Sequence, residues 1–124
     1  MTRRICRAGL LLILCLMPAA VPAQQAGLTA VGLWDEMARD QPAFEAAYKG
    51  KKVSFLGEVA SVQRNFAKQL VVKFKAGGVR TIECEFPEIY ARPLSKIKPG
   101  QRVKVSGHYR SRVVMTLYFE RCEV

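Results

Sequence analysis

From Val53 to Phe119 the apolar residues tend to fall on every second position, in runs broken by glycine, proline or polar clusters. This period of two argues for strands that bury one face. Val53, Phe55, Gly57 and Val59 alternate with Ser54, Glu58 and Ala60. Gly57 inside that pattern marks a bulge or tight bend. Ser61–Lys68 is a polar connection, and Leu70–Lys75 is the next strand. Ala76-Gly77-Gly78 is a hairpin turn. Val79–Phe86 follows, with Ile82, Cys84 and Phe86 on one face and Thr81, Glu83 and Glu85 on the other. Pro87–Lys98 holds two prolines and some helical turn. Pro99-Gly100 then launches Val103, Val105 and Gly107. Val113–Phe119 is the last strand, with Met115, Leu117 and Phe119 on one face. Cys122 is one position out of phase with that face, which predicts a bulge near Glu120-Arg121. Five strands with glycine kinks fit a small closed barrel, since a sandwich usually needs about seven strands.

A helical lead precedes the strands. Thr29 caps a helix running to about Arg39, with Leu33 and Met37 four apart and Asp35-Glu36 early, where the helix dipole favours acids. Asp40 caps a second helix with Pro42 just inside it, and Gly50 ends it. Trp34, Phe44 and Tyr48 at helical spacing read as contacts to the barrel core.

Residues 1–23 have the three parts of a cleaved secretory signal peptide. Arg3, Arg4 and Arg7 form a basic start, Leu10–Met17 is an apolar run, and Val21-Pro22-Ala23 is a small-residue exit. The apolar run is too short to span a bilayer, which takes about 20 residues. Residues 24–28 read as a flexible tail and 29–124 as one domain. The protein is expected to be secreted, most simply into a bacterial periplasm. Removing 23 of 124 residues leaves 101, and loss of three arginines lowers the net charge from +10 to +7. Cys6 and Cys15 leave too, so the mature chain keeps Cys84 and Cys122. An even pair in an oxidising compartment reads as a disulfide. Closing that loop of 38 positions is worth about 3–4 kcal/mol on the chain-entropy model. A redox pair would want C-x-x-C spacing, and a zinc site more ligands.

Several segments together resemble the small exported bacterial proteins described as tRNA anticodon-binding-like OB folds. They are Ala47–Val53, Gly57-Glu58-Val59, Cys84-Glu85-Phe86, Leu94 to Pro99-Gly100, Val103–Gly107, and Leu117 leading to Cys122. The similarity covers most of Asp35–Val124, and one departure is the turn Asp40-Gln41-Pro42. The resemblance implies a mainly β fold: a five-stranded OB-type barrel with an N-terminal helical segment. It also implies that Cys84 and Cys122 lie on the third and fifth strands, which close such a barrel side by side. It supplies no catalytic residues, and fold alone does not establish function.

The chemistry legible in the residues is that of binding. His108 is the sole imidazole and reads as a polar strand-end residue. Glu83 and Glu85 would stand about 6–7 Å apart on one strand face. That resembles a hydrolytic carboxylate pair, but a solvated face opposite Lys73, Lys75 and Arg80 explains it more simply. No enzyme, metal or cofactor is expected. In OB folds the second and third strands and two flanking loops form the ligand face. Arg64, Lys68, Lys73, Lys75, Arg80, Arg110 and Arg112 would line it, with Phe66 and Tyr109 stacking on a ligand. The expected partner is an anionic envelope ligand or an exported protein. Nucleic acid is the alternative, as is a structural or inhibitory role on another exported protein.

Overall fold

The structure, a computed structural model, describes residues 27–124. The expected signal peptide and most of the expected tail lie outside them. Thr29 opens helix α1 (Ala30–Arg39), accepting a bond from the Gly32 N–H at 3.0 Å. Asp40 then caps α2 (Gln41–Tyr48), its carboxylate accepting from the Ala43 N–H at 3.2 Å. Both caps satisfy amides that a helix start leaves without partners. Gly50 turns the chain into the sheet at φ +74°, a left-handed value that favours glycine.

The sheet holds β1 (Lys52–Arg64), β2 (Leu70–Lys75), β3 (Thr81–Phe86), β4 (Arg102–Val113) and β5 (Thr116–Glu123). A 3₁₀ turn (Glu88–Tyr90) and a short helix α3 (Ala91–Ser95) join β3 to β4. The strands close into a barrel in the order β1-β2-β3-β5-β4. All neighbours are antiparallel except β3 and β5, which pair in parallel. This is the expected five-stranded OB-type barrel with its helical segment.

Two strands run further than the sequence pattern suggests. β1 continues to Arg64 because an extra residue, Ala60, sits between the Val59↔Phe74 and Ser61↔Lys73 pairs. The bulge bends β1 from its partner β4 over Lys52–Glu58 onto β2 over Glu58–Arg64. Gly57 is not that bulge, since its pairing with Val103 is in register. Its role is space: a Cβ there would lie 2.8 Å from the Phe74 ring. β4 likewise continues through His108–Val113, so the fifth strand begins at Thr116, with Val114 turning at φ +54°. The bulge expected near Glu120-Arg121 is present. Three β5 steps face two β4 steps between the Ser106↔Glu123 and His108↔Glu120 pairs, and Arg121 has φ +51°. That extra residue turns Cys122 back to the interior.

The core follows the alternation. Phe55, Val59, Phe74, Ile82, Leu117 and Phe119 are buried inside the barrel. Each contributes about 1.5–3 kcal/mol relative to exposure. α1 packs against β1 and β2, burying Leu33, Trp34 and Met37. The Trp34 indole N–H donates to the Thr81 carbonyl at 2.8 Å. The guanidinium groups of Arg80 and Arg112 stand 5.3 and 5.1 Å from its ring centroid. Phe44 packs edge-on against Tyr109, with ring centroids 5.1 Å apart. Trp34, Phe44 and Tyr48 are therefore core contacts, Tyr48 only half-buried.

Candidate anion-binding surface

The outer face of β2 and β3 was expected to gather cations, and the structure places an acid beside most of them. Lys73 faces Glu83 at 3.9 Å across the ladder, and Lys75 reaches Glu58 at 3.4 Å. Arg80 pairs with Asp35 at 3.1 Å. Arg110 approaches Glu120 at 3.5 Å and Glu85 at 3.9 Å, over the Tyr118 ring. Arg110 and Arg112 lie within β4, not in a loop, and the register shifts between Tyr109 and Ser111. Arg112 is turned onto Trp34, the Val114 carbonyl and Gln41. These exposed pairs contribute little to stability. Their consequence is electrostatic: the face is mixed in sign.

Tyr109 is a correction. It continues the inward set Val105-Gly107-Tyr109 and is buried in the core. Its hydroxyl donates to Glu45 at 2.6 Å. Burial first, and that carboxylate second, raise its pKa well above the ordinary phenol value. It cannot stack on an external ligand from there.

Phe66 and Lys68 are differently placed. They sit in the β1–β2 turn, and Phe66 is fully exposed. The Asn65 side-chain oxygen accepts from the Ala67 and Gln69 amides, both at 2.9 Å. Lys68 adopts φ +65° to close the turn. Arg64 braces it by donating to the Lys68 carbonyl and to both oxygens of Glu88. The Arg64 guanidinium in turn holds the Glu88 carboxyl below its usual pKa. Arg64 thus positions a turn that carries an outward aromatic ring, and its charge is already neutralised.

The cation excess lies elsewhere. From Ile89 through Phe119 the chain carries no Asp or Glu and seven Lys or Arg. Besides Arg110, five of these are exposed: Arg92, Lys96, Lys98, Arg102 and Lys104. None of these five takes part in an ion pair among the described residues. The segment that carries them is fixed. The Lys98 N–H donates to the Gln101 side chain at 2.7 Å, and the Gly100 N–H and Gln101 carbonyl bond Val59 at 2.8 Å each. Arg102 and Lys104 then share the outer face of β4. Sequence reasoning tied to the β2–β3 face missed this strip. The acid-free run was the signal that would have found it.

His108 lies inside β4, between Lys52 of β1 and Glu120 of β5. Its Nδ1 is buried without a hydrogen-bond partner. Glu83 and Glu85 spend their charge on Lys73 and Arg110. Cys84 and Cys122 are buried free thiols placed side by side. Burial first, then the neighbouring Cys122, pushes the Cys84 thiol well above its ordinary pKa. No group of three His, Cys, Asp or Glu that could hold a metal occurs among the described residues. No helix among them is long and apolar enough to cross a membrane.

No family model matches this chain, and no curated protein does. Among solved structures, the fold is similar to a Klebsiella pneumoniae protein described as a "putative nucleic acid-binding lipoprotein". The TM-score is 0.66 at 12% sequence identity, covering 87% of this chain and 97% of that one. At that identity the likeness concerns the fold alone.

Proposed function

We propose that this chain is an exported, non-enzymatic binding module whose OB-type barrel holds a polyanionic ligand. The observation that carries this reading is the strip Arg92, Lys96, Lys98, Arg102 and Lys104, exposed and in no ion pair among the described residues, although Glu58 faces Arg102 across the β1–β4 ladder. Basic groups released from ion pairing attract anions at long range and displace condensed counterions on contact. The exposed Phe66 beside Lys68 adds one stacking ring at a separate point of the surface. Export rests on the three-part N-terminal signal, and a bacterial envelope location agrees with the neighbour's description as a lipoprotein. The same description favours nucleic acid among the possible polyanions, whereas the exported compartment favours acidic envelope polymers. The proposed oxidised form carries a Cys84–Cys122 disulfide, a reading supported by the contact between the two buried thiols.

The test is binding of a single-stranded oligonucleotide and of long-chain polyphosphate, followed by fluorescence anisotropy. Charge reversal at Lys96 and Lys98 should weaken both by tenfold or more at low salt. Reversal at Lys73 and Lys75 should have a smaller effect, because each already has a carboxylate. Equal losses from the two variants would sink the assignment of the site to the strip.

A further inference from the structure

We propose that a second site, the groove between α2 and the β1–β4 ladder, binds a single phosphate-type oxyanion. The groove encloses about 310 Å³ and is lined in part by Leu28, Tyr48, Lys51, Lys52, Ser54 and Lys104. Three lining residues are lysines, and no lining residue is an acid. Lys51 and Lys104 are exposed and take part in no ion pair among the described residues. Lys52 shares its charge with Glu123 at 3.3 Å. The hydroxyl of the lining Tyr48 donates to the Glu36 carboxylate at 3.1 and 3.2 Å. The Tyr48 hydroxyl keeps its proton, because burial and then Glu36 raise its pKa.

The platform is rigid where the lysines leave it. The Gly50 N–H donates to the Tyr109 carbonyl at 2.9 Å, and the Tyr109 N–H donates back to the Lys51 carbonyl at 3.2 Å. The Lys51 N–H closes the turn on the Tyr48 carbonyl at 2.8 Å. The hydroxyl of Ser54, a lining residue, stands 2.7 Å from that of Ser106 on the neighbouring strand. One of them donates to the other, so the pair keeps one O–H for a third group. Three lining lysines and the Ser54 hydroxyl match an anion with several equivalent oxygens. The volume is at the small end of ligand pockets, which suits one phosphate and a small substituent, not a polymer. Two sources offer that chemistry: a free phosphomonoester and an acidic lipid headgroup. Lys104 is shared with the polyanion strip, but the groove stands on its own residues and does not need that strip.

The experiment is an amide-shift NMR titration of the folded protein with inorganic pyrophosphate at fixed ionic strength. A saturable shift confined to Lys51, Lys52, Ser54 and Lys104 is expected. Lys51→Ala combined with Lys104→Ala should weaken it by about tenfold or more, the loss of one to two charge-assisted bonds. Lys73→Ala with Lys75→Ala should leave it unchanged. Cosedimentation with phosphatidate-containing vesicles, absent with phosphatidylcholine alone and abolished by the groove variant, would identify the lipid source. Saturable pyrophosphate binding without vesicle binding would identify the free phosphomonoester. A titration that does not saturate, or that the groove variant leaves intact, overturns the site. Charge reversal at Lys96 and Lys98 must spare the pyrophosphate titration while removing polyanion binding, so either reading can fail alone.

Discussion

Gly107→Ala should be the most damaging single methyl on the barrel seam. A Cβ at Gly107 would lie 2.5 Å from the Cys122 Sγ and 3.4 Å from the Phe119 Cβ. Optimal non-bonded separations are about 3.5–4.0 Å between carbons, so the pair must move apart by about 1 Å. Neither side gives way cheaply. Gly107 is paired to Val53 in the middle of β4, and Cys122 is held by the bulge at Arg121. Overpacking of this kind costs about 1–3 kcal/mol. For a domain of this size that lowers Tm by roughly 4–8 °C per kcal/mol. The assay is thermal and denaturant unfolding of the reduced protein, alongside Cys122→Ala and the double variant. In the double variant the added methyl would enter the space vacated by the sulfur, so that protein should be more stable than the two single losses predict. The favourable coupling should be about 1 kcal/mol. A neutral Gly107→Ala, or strictly additive losses, would refute the placement of Cys122 against Gly107.

Two further outcomes follow from the same core. Burial raises the folded-state pKa of the Cys84 thiol, so the neutral form is favoured by folding. That stability is present below the unfolded thiol value of about 8.5 and is lost as pH rises toward the folded value. Tyr109, also raised, acts with the same sign above about pH 10. Reduced protein should therefore show a falling denaturant midpoint from pH 7 to 9.5. Oxidised protein should be flat over that window and give no free thiol on titration, and identical pH profiles or two reactive thiols would count against the disulfide. Tyr109→Phe removes the 2.6 Å bond to Glu45 and should cost about 1 kcal/mol with ligand affinity unchanged. A loss of affinity as large as that of Phe66→Ala would return Tyr109 to the ligand site.

The barrel was legible because its signals are local. Alternation in Val53–Val59, Leu70–Lys75 and Val79–Phe86 needs only the period of a strand, and Thr29 and Asp40 mark their helices by capping chemistry. The out-of-phase Cys122 announces its bulge in the same way. Strand ends are harder to read. Ala60 has no turn residue beside it, so the polar stretch after it resembles a loop. His108–Arg112 resembles a connection because its outward residues are polar at nearly every step. The site escapes sequence reasoning for a different reason. Which acid lies opposite which base depends on register across strands, and Glu58, Asp35 and Glu88 are distant in sequence from Lys75, Arg80 and Arg64. Neutralisation of the expected face is thus a tertiary fact. The strip from α3 to β4 has no acid within its own run from Ile89 to Phe119, but only the register shows that Arg110 of that run is paired with Glu85 and Glu120 while the strip cations are not.

The salt dependence of oligonucleotide binding tests the polyanion reading most directly. Each phosphate contact on a single strand contributes about −0.7 to the slope of log K against log salt concentration. Engagement of three to five strip residues gives a slope of roughly −2 to −3.5 on that basis. Charge reversal at Lys96 and Lys98 should bring it toward zero. A slope near zero in the unaltered protein, or one that this variant leaves unchanged, would contradict a binding surface built on the α3–β4 cations.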